Sequence, residues 1–367
     1  MHQTRLMVAA TAVALTAASF GIPTAADAAR PEPTTLLKGL VSPLTAAVAS
    51  DGTVYVTQNF SGQLTRKRPG KPAKVVYAAR GGNEVGGVSV RKGVVVFTET
   101  ASDAQGMPAD SWVKWMGRSG KVRTLAHVRA YENKHNPDHV VKYGARGIRP
   151  GCASQWPTDQ FGPATYRGLP DSHPYATYQT TRKVYVADAG MNAVIAISRS
   201  GRISTVAVLP PVPVRITRQL AGSMGLPDCA VGLTYYGEPV PTDVETRNGK
   251  LLVTTEGGGL GEQMPLGSIY RVNKRSGKTT KIVGGLMTPV GLGVARNGDL
   301  LVSQLFAGVI SRVPHGTHAV RTYAKVNLPA AVEWTPRGVY ATVDSLVGPS
   351  QEQPSTPPGG RLVKYRR

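Results

Sequence analysis

Six times along this chain of 367 residues, a turn leads into a short β run that ends in an aromatic or aliphatic pair, and a second β run usually follows. The run reads Asp51-Gly52-Thr53-Val54-Tyr55-Val56, then Lys92-Gly93-Val94-Val95-Val96-Phe97, then Arg182-Lys183-Val184-Tyr185-Val186. It returns as Asn248-Gly249-Lys250-Leu251-Leu252-Val253, Asn297-Gly298-Asp299-Leu300-Leu301-Val302 and Arg337-Gly338-Val339-Tyr340-Ala341. A unit repeated at this spacing builds a solenoid, a propeller or an array, because a single unit cannot bury its apolar face alone.

Each unit reads as up to four runs, A to D, of which the run above is B. Run A follows a Pro or Gly turn, as in Pro43–Val48, Pro174–Ala176, Pro241–Val244 and Pro289–Val294. Run C usually follows a Gly, as in Gly62–Thr65, Asn192–Ile197, Gly267–Val272 and Gly308–Val313. Run D comes after a further turn, at Ala73–Tyr77, Lys121–Leu125, Ile203–Val208 and Thr279–Val283. Asp-Gly and Asn-Gly pairs supply tight hairpins between A and B. Short runs rich in Val and Tyr, separated by turns, indicate an all-β chain, and 42 Gly and 28 Pro suit it. Four strands per unit, repeated six times, predict a six-bladed β-propeller.

The two ends of the repeat support closure. The last unit stops after its run C, Gly360–Tyr365, while an orphan run, Thr34–Lys38, precedes the first run A. An N-terminal strand that completes the last blade removes two open sheet edges. An open β-solenoid is the alternative, and it needs capping units that the sequence does not display.

Residues 1–28 read as a secretory signal peptide, with Arg5, an apolar stretch from Leu6 to Phe20, and Ala26-Asp27-Ala28 before Ala29. No later stretch approaches the ~20 apolar residues of a membrane helix. The expected product is a secreted, extracellular monomer, with residues 29–367 forming one propeller domain. Its formal charge is +21, from 43 Lys and Arg against 22 Asp and Glu. For an exported protein this excludes nucleic acid as the natural partner and leaves anionic cell-envelope polymers. A merely solvated basic surface is a simpler explanation of the charge than a dedicated polyanion site.

Insertions interrupt the D-to-A connections near 129–170 and 211–238, and each carries one of the chain's two cysteines, Cys152 and Cys229. Two thiols in an exported chain pair more often than not. A Cys152–Cys229 disulfide would tie the two insertions into one cap. Long connections in compact domains are functional or disordered, and a bridge argues against disorder.

The ends of the six B runs point towards the same face as those insertions: Gln58, Glu99, Asp188, Glu256, Gln304 and Asp344. Asp243, on the fourth run A, is expected to line the channel. Carboxylates converging with amides are ligands for hard cations. Glu99, Asp188, Glu256 and Asp344 are therefore candidate ligands for Ca2+ or another divalent metal, and Gln58, Asp243 and Gln304 are candidate ligand-binding groups. Trp156, in the first insertion, is expected to be an exposed binding aromatic. The competing reading is that the rim side chains cap loop amides. His135 and His139 are four apart, but Pro137 between them disfavours a helix that would align them, so they read as exposed loop residues. His173, before Pro174, is a weaker candidate. Glu256-Gly257-Gly258-Gly259-Leu260-Gly261 lacks the Lys-Ser/Thr ending of a phosphate loop. No G-x-S-x-G or H-E-x-x-H motif occurs.

Several segments resemble one known group. Asp171-Ser172-His173-Pro174-Tyr175, followed by Val184-Tyr185-Val186-Ala187-Asp188-Ala189-Gly190-Met191-Asn192-Ala193-Val194, resembles the ScyD/ScyE family, named from cyanobacterial scytonemin clusters and present in other bacteria. Glu132 with Asn136-Pro137-Asp138, Val240–Val244 and Gly285–Leu292 extend the likeness. It implies an exported, NHL-like six-bladed propeller. It implies no reaction, and no catalytic residue is carried over.

Two functions remain open at this point. One is a binding or scaffold module for a small ligand, an extracellular protein or a cell-envelope partner. The other is a metal-dependent lactonase, hydrolase or lyase at the channel mouth.

Overall fold

The structure is a computed structural model that describes residues 32–349 and 355–366. The proposed signal peptide lies outside the described residues. The chain is all-β, with seven four-stranded antiparallel sheets. Six of these follow the repeat closely. The B runs form Val54–Gln58, Val94–Ser102, Lys183–Asp188, Lys250–Thr255, Leu300–Gln304 and Gly338–Val343. In each sheet the B strand lies between A and C, buried on both faces, so it carries a short apolar run such as Val94–Phe97 or Leu251–Val253 before its polar end. At Lys92-Gly93 and Asn248-Gly249 both turn residues have positive φ, the geometry that a two-residue hairpin needs to match strand twist.

The innermost strands are Ala46–Val48, Glu84–Arg91, Pro174–Gln179, Pro241–Arg247, Pro289–Val294 and Val332–Thr335. Each touches the next, and the last touches the first. Packing between the sheets follows the same circuit. Tyr55 and Leu64 of the first sheet pack on Val85 and Phe97 of the second. Ala176 and Tyr185 pack on Val244 and Tyr270. Ala331, Tyr340 and Leu362 return to Val54 and Val56. Leu64, Phe97 and Val56 are fully buried, and each such side chain contributes roughly 1.5–3 kcal/mol relative to an exposed one.

The N-terminal strand Thr34–Leu40 pairs antiparallel with Gly360–Tyr365, with Thr34 opposite Lys364 and Leu40 opposite Gly360. It forms the outer edge of the sheet that holds the C-terminal strand. The expected closure by the chain's own ends is present.

The seventh sheet has no counterpart in the repeat. Its strands run in the order Thr165–Arg167, Lys142–Arg146, Thr234–Gly237 and Val212–Arg215, two from each insertion. The insertions, expected as long connections, thus build a sheet together with short helices such as Val128–His135 and Arg218–Met224. They can do so because they supply their own core, in which Trp156, Ile216, Leu226 and Ala230 pack together. The Cys152–Cys229 disulfide joins the two halves, with Cα atoms 5.9 Å apart.

Candidate functional site

The six rim positions are mostly occupied with local work. Gln58 and Gln304 occupy equivalent places and act alike. Gln58 Oε1 accepts from the Val41 amide at 2.9 Å while its Nε2 donates to Thr65 Oγ1 at 2.9 Å. Gln304 Oε1 accepts from the Met287 amide and its Nε2 donates to Ser311 Oγ, both at 2.7 Å. Each glutamine pins the loop entering its sheet to the neighbouring strand. Glu99 accepts from the Tyr77 hydroxyl and from Asn83 Nδ2, and pairs with Lys114 Nζ at 3.3 Å. Asp188 accepts from Ser172 Oγ, the His173 amide and the Met191 amide at 2.9, 2.8 and 3.1 Å. Burial pushes Asp188 up to about 6 despite those bonds. Asp344, at φ 53°, accepts from Arg361 Nε at 2.6 Å and Asn327 Nδ2 at 3.0 Å. The Glu256 side chain alone makes no hydrogen bond among the described residues, and burial, then the neighbouring Glu262, pushes it up to about 8. Among the described residues no three His, Cys, Asp or Glu side chains are grouped so as to hold a metal ion. The structure therefore does not gather Glu99, Asp188, Glu256 and Asp344 round one point.

Trp156 is not an exposed aromatic. It is 4 % exposed and stacks on Tyr235 with ring centroids 6.2 Å apart, because the cap's small core needs a large apolar side chain. His135 ends the helix Val128–His135, and Asn136 turns left-handed before Pro137. His139 is exposed beyond it. No helix aligns the two.

His173 joins a mouth cluster that the sequence reading undervalued. Its Nε2 lies 2.8 Å from Glu84 Oε2, at the start of the second innermost strand. Glu84 Oε1 accepts from Asn59 Nδ2 at 2.7 Å. Burial would raise Glu84, but the His173 charge and the hydrogen bonds from His173 and Asn59 hold it below the usual carboxylate range. Burial would likewise lower His173, but Glu84 overcomes it and holds the imidazole at about 9. His173 is therefore a cation at neutral pH, able to donate a proton or anchor an anion, and unsuited to act as a base.

Inside the ring lies a cavity of about 210 Å³ lined by all six innermost strands. Three carboxylates face it: Asp243, Glu245 and Glu333. Asp243 and Glu245 are two apart on one strand, so strand geometry puts both on the same side. Asp243 accepts from the Leu292 amide at 2.6 Å and the Val244 amide at 2.7 Å, yet burial still pushes it up to about 7. The Glu333 side chain makes no hydrogen bond among the described residues, and Glu245 has only the Thr246 backbone as a donor. Burial raises both well above the usual range, and their own repulsion and that of Asp243 add to it. Arg91 is the one basic residue among those lining the cavity, and its Nη2 is engaged with Thr181 Oγ1 at 2.8 Å.

Of the expected channel residues, Asp243 stands where the sequence placed it. Glu84, Glu245 and Glu333 were missed. The Asp243-Val244-Glu245 alternation was a usable signal for Glu245. Val332–Thr335 was not recognised as a strand, so Glu333 had no face assigned.

No protein-family profile matches the chain, and no curated protein matches it in sequence. Solved structures do match. The chain is similar to a Thermus thermophilus protein described as an oxidoreductase (glucose dehydrogenase), at 14 % identity, covering 91 % of this chain and 99 % of that one, with a TM-score of 0.55. It is similar to a gluconolactonase from Xanthomonas campestris, at 11 % identity, 90 % and 88 % coverage and a TM-score of 0.53. A virginiamycin B lyase from Staphylococcus aureus matches at 14 % identity, 91 % and 87 % coverage and a TM-score of 0.51. At such identity these likenesses establish a propeller-like fold alone.

Proposed function

We propose that the chain is an exported six-bladed propeller, with the seventh sheet as its cap, and that it binds a small organic cation in its channel. The single observation behind this reading is the meeting of Asp243, Glu245 and Glu333 in one cavity of about 210 Å³. Three like charges in a confined space cost free energy unless they are protonated or a cation enters. A bound cation is an economical answer in a molecule otherwise as basic as +21. The cavity has room for roughly seven waters at about 30 Å³ each, enough for a short amine or guanidinium compound. Tyr178 also lines it and is a side chain of the kind that attracts cations. The basic exterior fits retention at an anionic envelope, separable by moderate salt because screening weakens surface contacts.

Calorimetric titration with putrescine, agmatine and choline tests this reading. At least one is expected to bind the wild-type chain and to lose at least about tenfold in affinity in a Glu245→Gln/Glu333→Gln variant. No binding by any of the three, or binding that the double variant leaves unchanged, would refute it.

A second reading rests on the mouth. A charged His173 held by Glu84, beside a Glu256 that stays protonated to about pH 8, is an arrangement suited to proton donation in a lyase or lactonase reaction. The neighbours described as lyase and gluconolactonase share this fold class. Hydrolysis of simple lactones abolished by His173→Gln would favour it over pure binding.

A further inference from the structure

We propose that Glu132, Asn136 and Asp138 hold a hard divalent cation of the Ca2+ class where the first insertion meets the third sheet. The site lies apart from the channel acids and beside Asp188, whose own oxygens accept from Ser172, His173 and Met191.

Glu132 has no exposed surface, and neither of its carboxylate oxygens has a partner in hydrogen-bonding geometry. Asn136 Oδ1 and Asp138 Oδ1 are also buried without partners. Four orphaned oxygens thus occur within one seven-residue stretch. Buried polar atoms are otherwise paired almost everywhere in folded proteins, and an exception calls for an explanation such as an ion.

These oxygens are neighbours. Glu132 and Asn136 are tied through the backbone where the helix Val128–His135 ends: the Asn136 amide donates to the Glu132 carbonyl at 2.8 Å as Asn136 turns left-handed. Asn136 and Asp138 both meet Gly168: Asn136 Nδ2 donates to the Gly168 carbonyl at 3.0 Å, and a Cβ on Gly168 would lie 2.1 Å from Asp138 Oδ1. The other oxygen of Asp138 is fixed by donors, the Tyr143 hydroxyl and Asn192 Nδ2, each at 3.0 Å. One carboxylate oxygen is therefore oriented by protein donors and its partner is left free, the usual division of labour in a carboxylate ligand.

The donor set is all oxygen, from two carboxylates and an amide, and that chemistry selects Ca2+ over softer metals. Asp188 and Asp138 also lie close enough to Glu132 for their charges to act on it, so acidic groups crowd this point. The structural effect of an ion here follows from what surrounds it. Asn192 belongs to the third sheet's hairpin, and its Nδ2 also reaches Glu238 Oε2 at 3.2 Å, at the end of the second insertion. An ion on Asp138 would clamp both insertions onto that sheet.

The test uses the full chain after treatment with EDTA. Calorimetry with Ca2+ is expected to show saturable binding at a single class of site. Tb3+ in place of Ca2+ is expected to luminesce on tyrosine excitation, because Tyr143 is hydrogen-bonded to Asp138. Glu132→Gln and Asp138→Asn should each weaken binding by at least about tenfold. Asp159→Asn, an exposed acid on the same insertion, should leave it unchanged. Should Asp138→Asn fail to fold, Glu132→Gln still decides, since it keeps the shape of the side chain and an oxygen for the nearby Asp171 backbone. Absence of Ca2+ heat and of Tb3+ luminescence up to about millimolar ion overturns the proposal, as does binding that Glu132→Gln leaves intact.

Discussion

Replacing Cys152 and Cys229 together by alanine is expected to loosen the cap by ~4 kcal/mol while leaving the rest of the ring intact. The disulfide spans 77 residues, and closing a loop of that length removes about 15 cal/mol/K from the open chain, or ~4.5 kcal/mol at 25 °C. Much of that loop is not free, however. The third sheet, from Pro174 to Val208, lies inside it and stays paired when the cap alone opens. The chain that gains freedom is then about 43 residues, from Cys152 to Pro174 and from Val208 to Cys229, which gives ~4 kcal/mol. The two values differ little because loop entropy grows only with the logarithm of length. The size of the loss therefore says little about which region opens, and its location must be read directly. Native-state hydrogen exchange does this. The cap bonds from the Ala145 amide to Ala164 and from the Ile216 amide to Leu233 should exchange about 10³-fold faster in the variant. The Thr57 amide, bonded to Thr45 in the first sheet, should be unaffected. Wild-type protein reduced with dithiothreitol serves as a control without a packing change at Cys152. Less than a tenfold change in the cap, or an equal change in both regions, would refute the reasoning.

Deleting Thr34–Leu40 should lower the melting temperature and cause self-association by size-exclusion chromatography, since it bares the edge of Gly360–Tyr365. Gly291→Ala should cost about 1–3 kcal/mol in urea unfolding, because its Cβ would fall 2.3 Å from the Ala330 carbonyl oxygen where two innermost strands meet. His173 is held at about 9, above its unfolded value near 6.5. Its stabilising contribution should be complete below about pH 6.5 and vanish as pH rises through about 9, by ~1–2 kcal/mol after allowance for partial exposure. A His173→Gln chain that kept the same alkaline loss would rule that out. Asp243 has the opposite sense for an acid: its folded value, about 7, lies above the unfolded one, so its site is most comfortable at low pH and costs stability as pH rises from about 4 to 7. An Asp243→Asn chain should show a flatter stability profile over that range.

Most of the sheet architecture was legible because it is written in local terms. Strand pairs such as Asp243-to-Thr254 or Leu251-to-Val272 follow from turn residues and short β-rich runs that any one unit carries. Even the closure by Thr34–Leu40 could be inferred from an unpaired run at one end and a missing one at the other. The candidate site was much less legible. Asp243 was found, but Glu333 sits on a strand of only four residues, Val332–Thr335, whose β-favouring Val, Trp and Thr are hemmed in by Pro329 and Pro336. Trp156 looked like a surface aromatic in a loop, and only the partnership of two insertions far apart in sequence shows that it is core.

By itself, the order of residues determined a circuit of four-stranded units, a pair of cysteines able to bridge two insertions, and a face on which strand ends gather. Those properties depend on periodicity and turn chemistry, which act over a few residues. The tertiary structure alone decided which acidic side chains are stranded and which are employed. Glu99 and Asp344 spend their charge on Lys114 and Arg361, while Glu132, Glu245 and Glu333 meet no cation and are pushed by burial towards the neutral form. A carboxylate's role is set by what lies within a few ångströms of it, and those neighbours come from strands tens of residues away.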